Sequence, residues 1–190
     1  MSRLLALLAV AAVFAPAALA ARVHMRVEGK TTTIFGASEP VLDASTALAA
    51  LDVASVAGEF YYHVASTAYG PYVDQIGRYA AGGPSGWTFK VNGVSAPVGA
   101  DKVTLHAGDR VLWYWATFGP TGGPPTLVLK RERRAGCYRV LQQDDAGKTS
   151  PASGAVLHVD GRSTRRSCVG RHRGLVRATK AGAVRSNTLP

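Results

Sequence analysis

The chain has 190 residues, of which 47% are hydrophobic and 18% charged, with 21 glycines and 10 prolines. This length fits one ordinary domain or two small ones, and it excludes a large multidomain enzyme. The composition supplies enough apolar material for a core, and it excludes a disordered chain and a collagen-like repeat. The formal net charge of +10 raises the question of where along the chain the charge lies.

The first twenty residues have the organisation of a secretory signal peptide. Met1-Ser2-Arg3 is a short basic start, the run from Leu4 to Val13 is apolar, and Ala18-Leu19-Ala20 is a small-x-small cleavage site. A membrane anchor is the alternative, but Pro16 interrupts a stretch that is short for a span. We predict a signal peptide over residues 1–20, a protein that is secreted or held in the cell envelope, and no transmembrane segment after cleavage.

Export determines how the two cysteines, Cys137 and Cys168, are interpreted. Two cysteines in an oxidising compartment pair far more often than they form a metal or redox site. We therefore predict one disulfide between them.

Charge divides the chain into two segments. Residues 21–129 carry seven basic and eight acidic side chains, whereas residues 130–190 carry fourteen basic and four acidic ones. The change follows a Gly- and Pro-rich stretch at 119–125 and begins at a basic run. We predict a first domain over residues 21–131 and a basic second domain over residues 132–190. Both cysteines lie in the second domain, which fits this division, since so small a unit needs a disulfide for stability.

In chain order, the first segment predicts short strands around one helix. Alternating apolar residues predict a strand at 23–28, and a β-rich run at 31–35 is its hairpin partner. Apolar residues at helical spacing predict a helix that begins at a cap, Asp43 or Ser45, and ends at Gly58. Further strands are predicted at 60–67, 72–76, 87–91, 103–105 and 110–116.

The second segment predicts strands alone. Its β-rich runs lie at 137–141, 155–159, 175–178 and 183–185, with turn residues such as Asp160-Gly161 between them. This rhythm is typical of a small β-sandwich.

Two motifs in the first segment point to a known family. The run Gly86–Gly93 contains the pattern W-x-F-x-V-N-G, and the run Gly108–Tyr114 has the pattern G-D-x-V-x-W-Y. Together they resemble the transcobalamin-like C-terminal domain family, a β-grasp module of largely unknown function in bacterial secreted proteins, over about residues 22–129. More distantly, residues 136–187 resemble the transthyretin-like or carboxypeptidase regulatory-like sandwich.

These resemblances complete the predicted fold class. It is mostly β (α+β): a β-grasp-like domain with one helix, followed by a small all-β sandwich-like domain. The first resemblance implies a module that binds a ligand or is displayed on a surface, because a similar module closes over a corrin ring in the animal transcobalamins. There a separate helical barrel holds the ring, and this chain has no such barrel. We therefore predict no cofactor and keep a cobalamin or other small-molecule carrier as an alternative.

Aromatic residues are the first candidates for ligand binding. Trp113 and Trp115 lie two apart on one predicted strand and so face the same side, where two indoles suit a planar ligand. We name Trp87 and Tyr72 with them as ligand-binding candidates. Packing of the indoles in the core is the open alternative.

Arginines are the second group of candidates. Those of the second domain suit an anionic envelope polymer, because a guanidinium matches phosphate and carboxylate groups. The candidates are Arg162, Arg165, Arg166, Arg171 and Arg173. A solvated basic surface is the alternative, and export together with the lack of interleaved aromatics argues against nucleic acid.

Catalytic patterns are weak in this sequence. The five histidines show no metal-ligand spacing, and Ser85 lacks the G-x-S-x-G context of a nucleophile. We predict no metal site and no enzyme, with an extracellular hydrolase as an alternative. The predicted function is a secreted, non-enzymatic protein that binds an unknown small ligand or an anionic envelope polymer.

Overall fold

The computed structural model describes residues 19–190. The predicted signal peptide, apart from its last two residues, lies outside the described residues. The described chain is mostly β with a single helix, as the sequence predicts.

The first part of the chain contains nine strands and the helix. In chain order they are β1 (Ala21–Glu28), β2 (Thr33–Phe35), β3 (Val41–Ala44), α1 (Ala47–Ala57), β4 (Tyr62–Thr67), β5 (Gly70–Ile76), β6 (Tyr79–Ala80), β7 (Ser85–Val91), β8 (Val94–Ser95) and β9 (Arg110–Thr117). Six of these strands form one mixed sheet in the order β2-β1-β9-β7-β8, with β3 also paired to β1. The central pair, β1 and β9, is parallel, and its neighbours are antiparallel. A helix against a sheet with a central parallel pair is the β-grasp arrangement.

Helix α1 packs on one face of this sheet. Its N-cap is Thr46, whose side-chain oxygen accepts a hydrogen bond from the backbone of Ala49 at 3.1 Å, and Gly58 ends it. The predicted caps Asp43 and Ser45 are wrong, because the chain is still extended in β3 when it reaches Asp43. The shared core is formed by buried side chains of sheet and helix: Val23, Met25, Val27, Leu51, Val111 and Trp113.

The turn between β7 and β8 follows the sequence motif. Asn92 and Gly93 both have positive φ, 53° and 83°, which is the geometry of a tight two-residue hairpin. The Asn92 side chain also accepts from the backbone N–H of Arg110 at 3.0 Å and donates to Asp109 at 2.7 Å. The motif therefore fixes the start of β9 as well as the end of β7.

A three-stranded sheet, β4-β5-β6, lies beside this core. Val73 and Ile76 of β5 are buried in the same core cluster. The predicted strand at 103–105 is reduced to one bridge, between Thr104 and Thr46. The side chain of Leu105 is nevertheless buried.

The second part of the chain contains seven strands. They are β10 (Thr126–Arg131), β11 (Tyr138–Gln143), β12 (Thr149–Pro151), β13 (Val156–Val159), β14 (Arg162–Thr164), β15 (Val176–Thr179) and β16 (Thr188–Leu189). They form two small sheets, β10-β11-β12 and β14-β13-β15-β16, around a common core that includes Leu127, Tyr138, Leu157 and Val176. The predicted strand at 183–185 is reduced to a bridge between Val184 and Thr126.

Strand β10 lies before the boundary that the charge pattern predicts at residue 131. It pairs with β11, and its Leu127 and Leu129 are buried in the second core. By packing, then, the chain passes from the first unit to the second between β9 and β10. We call residues 21–117 the first unit and residues 126–190 the second unit.

The predicted disulfide is confirmed. Cys137 and Cys168 are bonded, and the backbones beside them pair as well: the Tyr138 N–H donates to the Ser167 carbonyl at 2.7 Å, and the Val169 N–H to the Gly136 carbonyl at 2.8 Å. The bridge joins the turn that follows β10 to the long loop between β14 and β15.

Candidate functional site

Two of the predicted ligand-binding tryptophans lie in the core. Trp87 and Trp113 are each 3% exposed. Their indole N–H groups donate to backbone carbonyls, Trp87 to Tyr79 at 2.8 Å and Trp113 to Ala47 at 3.0 Å. Both side chains are therefore occupied by packing, and neither offers an open ring face to a ligand.

The other two aromatic candidates reach the surface. Trp115 is half-buried, stands edge-on to Trp87 with ring centroids 5.7 Å apart, and lines a depression of about 270 Å³ with Lys30 and Arg185. Tyr72 is 41% exposed on β5. Tyr72 is not among the residues that line this depression, and ligand binding by either residue remains a prediction.

A cleft of about 560 Å³ lies between the two units. Leu112 of β9 lines it from the first unit, and Leu127, Val128 and Leu129 of β10 line it from the second. The charged groups on its walls are Arg26, Glu39, Arg110, Lys130 and Arg131. We call this cavity the inter-unit cleft.

The cleft exists because the second unit covers the face of the mixed sheet that α1 leaves free. On β9, Leu112, Tyr114 and Ala116 point away from the helix and form a small buried cluster with Val184 of the second unit. Val184 is itself fixed within the second unit, because the backbone N–H of Leu127 donates to its carbonyl at 2.9 Å. Apolar contacts thus hold the two units together beside the cleft.

Buried ion pairs also join the units. Glu28 of β1 is 1% exposed and accepts from Arg177 and from Arg185, the latter at 3.0 Å; both arginines belong to the second unit. Arg26, on the same face of β1, lies 3.4 Å from Glu28 and donates to the Arg185 carbonyl at 2.8 Å. We call Glu28, Arg26, Arg177 and Arg185 the ion cluster. Burial lowers the pKa of Arg26 and of Arg177, and the nearby Glu28 carboxylate opposes that effect in both.

Lys90 is a second buried cation at the junction. It is fully covered on β7, and its ammonium donates to the Asp144 carbonyl at 2.8 Å and lies 3.3 Å from the Asp145 carboxylate. Burial lowers the pKa of this amine, and Asp145 partly offsets the effect. The loop between β11 and β12 of the second unit is therefore tied to the central sheet.

Comparison with family models gives one match in this region. Residues 44–117 match the family model described as "Domain of unknown function (DUF4430)". DUF4430 belongs to the transcobalamin-like family, so the resemblance seen in the motifs is supported as far as a domain of unknown function. The comparison with curated proteins gives no match. The matched interval covers α1 and the strands from β4 to β9, including one wall of the inter-unit cleft.

The predicted polyanion-binding arginines are all on the surface. Arg162 lies on β14, and Arg165, Arg166, Arg171 and Arg173 lie on the loop that follows it; all five are exposed. The disulfide brings this loop beside the turn that carries the exposed Arg133 and Arg134. We call these seven residues the arginine surface. Anion binding by it remains a prediction.

Among residues 19–190, no group of three or more His, Cys, Asp or Glu side chains is placed to hold a metal ion. The one helix of that region is too short to cross a membrane.

Sequence reasoning missed the residues of the inter-unit cleft and of the ion cluster beside it. Arg26 and Glu28 alternate with the buried residues of β1, and this pattern predicts solvent exposure on that face. The signal that was available lies in β9, where Val111 to Ala116 is apolar without a break. Such a run is typical of a strand that is covered on both faces.

Proposed function

We propose that this chain is a secreted, non-enzymatic protein that binds a small ligand in the inter-unit cleft. The observation that carries the proposal is the cleft itself: its volume of about 560 Å³ lies within the range of small-molecule sites, and its walls combine apolar side chains with a few charged groups. The signal peptide predicted from the sequence supports a role outside the cytoplasm.

The way the walls are held also supports binding. One wall is β9 of the first unit and the other is β10 of the second, and the ion cluster and Lys90 fix the two units to each other. A cleft between docked units is formed before a ligand arrives, so binding does not have to order the walls.

A pair of valine variants tests the proposal. Val128 is half-buried and lines the cleft, so Val128→Trp should fill it; Val98→Trp places the same bulk at an exposed position outside it. A panel of small metabolites is screened by saturation-transfer NMR against residues 21–190. We expect to find compounds that bind both the native chain and the Val98→Trp variant and that no longer bind the Val128→Trp variant. A panel without binders, or binders that Val128→Trp retains, would contradict the proposal.

The corrinoid alternative has its own arm of the test. Cobalamin and cobinamide are titrated by calorimetry and by quenching of tryptophan fluorescence. Saturation at one equivalent, at micromolar concentration or below, would support a corrinoid carrier. Absence of heat and of quenching up to millimolar ligand would end that alternative and leave binding of other small molecules open.

Interaction with an anionic envelope polymer is a second candidate function. It is favoured by the disulfide, which gathers arginines from two separate loops onto one surface. The triple variant of Arg162, Arg165 and Arg166 to Gln should elute earlier in a salt gradient from immobilised dextran sulfate, because salt screens such contacts. The control removes the same charge from the exposed Arg22, Lys30 and Lys102 of the first unit. If the two triple variants elute equally early, net charge alone determines retention, and this would contradict a specific binding surface.

A further inference from the structure

We infer that the inter-unit cleft selects an anionic amphiphile, a small molecule with one carboxylate-like head and an apolar body. This inference rests on the proposed function, because it names the ligand class for the same cleft. It is carried by the charge of the walls, the pairing of the buried arginines and the placement of apolar side chains.

The walls of the cleft carry an excess of positive charge. Four cationic side chains line it, Arg26, Arg110, Lys130 and Arg131, against the single carboxylate of Glu39. Glu39 is already shared, because it contacts Arg110 directly and lies 3.3 Å from Nε of Arg26. The cleft therefore favours a ligand that brings negative charge, and guanidinium groups suit a carboxylate head.

Arg26 adds a hydrogen-bond donor without a partner. Its side chain is 4% exposed, and its Nε–H has no acceptor among the described residues, because the nearby Glu39 oxygen lacks hydrogen-bond geometry. The negative charge of Glu28 is shared among three cations, because Arg177 and Arg185 pair with it as well as Arg26. A buried donor of this kind is costly to leave unsatisfied, so the positive charge of Arg26 is only partly compensated and adds to the charge of the cleft wall.

Each wall places a cation beside an apolar side chain. Arg110 and Leu112 lie two apart on β9 and share a face of that strand, and Val128 and Lys130 do the same on β10. Leu189 adds a further apolar group to the lining. A purely ionic ligand would leave these apolar side chains uncovered, whereas a molecule with both a head and a body contacts both kinds of group.

Three probes with eight-carbon chains separate the contribution of head-group charge to binding from that of apolar burial. They are octanoate, octanol and octylamine. They are titrated into ¹⁵N-labelled protein, residues 21–190, while amide shifts are recorded. We expect octanoate to give saturable shifts in the Arg110–Leu112 and Leu127–Arg131 segments. Octanol should bind about tenfold more weakly, because it lacks the charge-assisted hydrogen bonds, and octylamine should not saturate.

A pair of lysine variants locates the charge effect. Lys130→Gln should weaken octanoate by roughly fivefold or more and leave octanol unchanged, and Lys102→Gln, exposed and outside the cleft, should change neither. Octanol binding as tightly as octanoate, or octanoate unaffected by Lys130→Gln, would overturn the inference. If neutral compounds bind in the cleft and octanoate does not, the inference of an anionic ligand is overturned but the proposed function stands. If no compound of the metabolite panel binds, both the inference and the proposed function are overturned.

Discussion

Glu28 is the acidic member of the ion cluster that joins the two units. Its carboxylate is buried and faces Arg26, Arg177 and Arg185, so one negative charge serves three guanidinium groups. Removing one partner of a buried ion pair leaves uncompensated charge, which is far more destabilising than losing an exposed pair.

We expect Glu28→Gln to lower the free energy of unfolding by about 3 to 5 kcal/mol, measured by urea denaturation. The matched control is Glu132→Gln, because Glu132 pairs with Arg139 at 3.6 Å on the surface. An exposed pair of this kind contributes about 1 kcal/mol or less. Equal losses for the two variants would show that the ion cluster does not hold the units together.

Tyr79 provides a test of local electrostatics. Its hydroxyl hydrogen-bonds Thr31 at 2.8 Å and accepts from Arg78 at 3.0 Å, and these contacts lower its pKa from 10.0 to about 8. A lowered pKa in the folded state means that the unfolded chain binds more protons between pH 8 and 10. The contribution of Tyr79 to stability is therefore absent below that window and grows as the pH rises through it.

Ultraviolet absorbance of tyrosinate measures this pKa directly. We expect one of the seven tyrosines to ionise near pH 8 and Arg78→Gln to move that step towards 10. Lys102→Gln removes an exposed charge elsewhere and should leave the step in place. A native titration that begins only near pH 10 would contradict the assignment.

At the scale of elements, the disulfide is the feature whose effect is easiest to isolate. The bond joins residues 31 positions apart in a unit with a small core. Closing a loop of that length restricts the unfolded chain, so replacing both cysteines with alanine should lower the free energy of unfolding by about 3 to 4 kcal/mol. Urea denaturation with and without a reducing agent checks this expectation. The reducing agent should lower the urea midpoint of the native protein and leave the midpoint of the double variant unchanged. A double variant as stable as the oxidised native chain would contradict this expectation.

The elements that the sequence predicted well are those with local signals. Asn92-Gly93 has a strong turn preference, and the alternation of Val23, Met25 and Val27 places one face of β1 in the core, as the structure has it. The helix lies where the sequence predicts it. Its cap does not, because Ser45 and Thr46 are both good capping residues and only the end of β3 decides between them. Such choices depend on contacts between elements.

The candidate site could not be predicted from the sequence, for the same reason. Arg26 and Glu28 have the pattern of an exposed face, and only the docking of the second unit buries them. The tryptophans were open to two interpretations, since an apolar ring suits a core and a ligand equally well. The structure places Trp87 and Trp113 in the core and leaves only Trp115 partly accessible.

At the scale of the whole molecule, the two units should unfold together. The ion cluster, Lys90 and the cluster around Val184 all cross the junction. All three tryptophans lie in the first unit, so their fluorescence reports it alone, whereas far-ultraviolet circular dichroism reports both units. We expect the two urea transitions to coincide in the native chain and to separate in Glu28→Gln. Two separate midpoints in the native chain would contradict joint unfolding.

The claim that the cleft is a binding site concerns both units at once. Amide shift mapping with the strongest binder of the metabolite panel tests it most directly. We predict saturable shifts on both walls, at Arg110–Leu112 of β9 and at Leu127–Arg131 of β10, that fit a single site. Shifts confined to one unit, for example to the β4-β5 hairpin that carries Tyr72, would contradict the account.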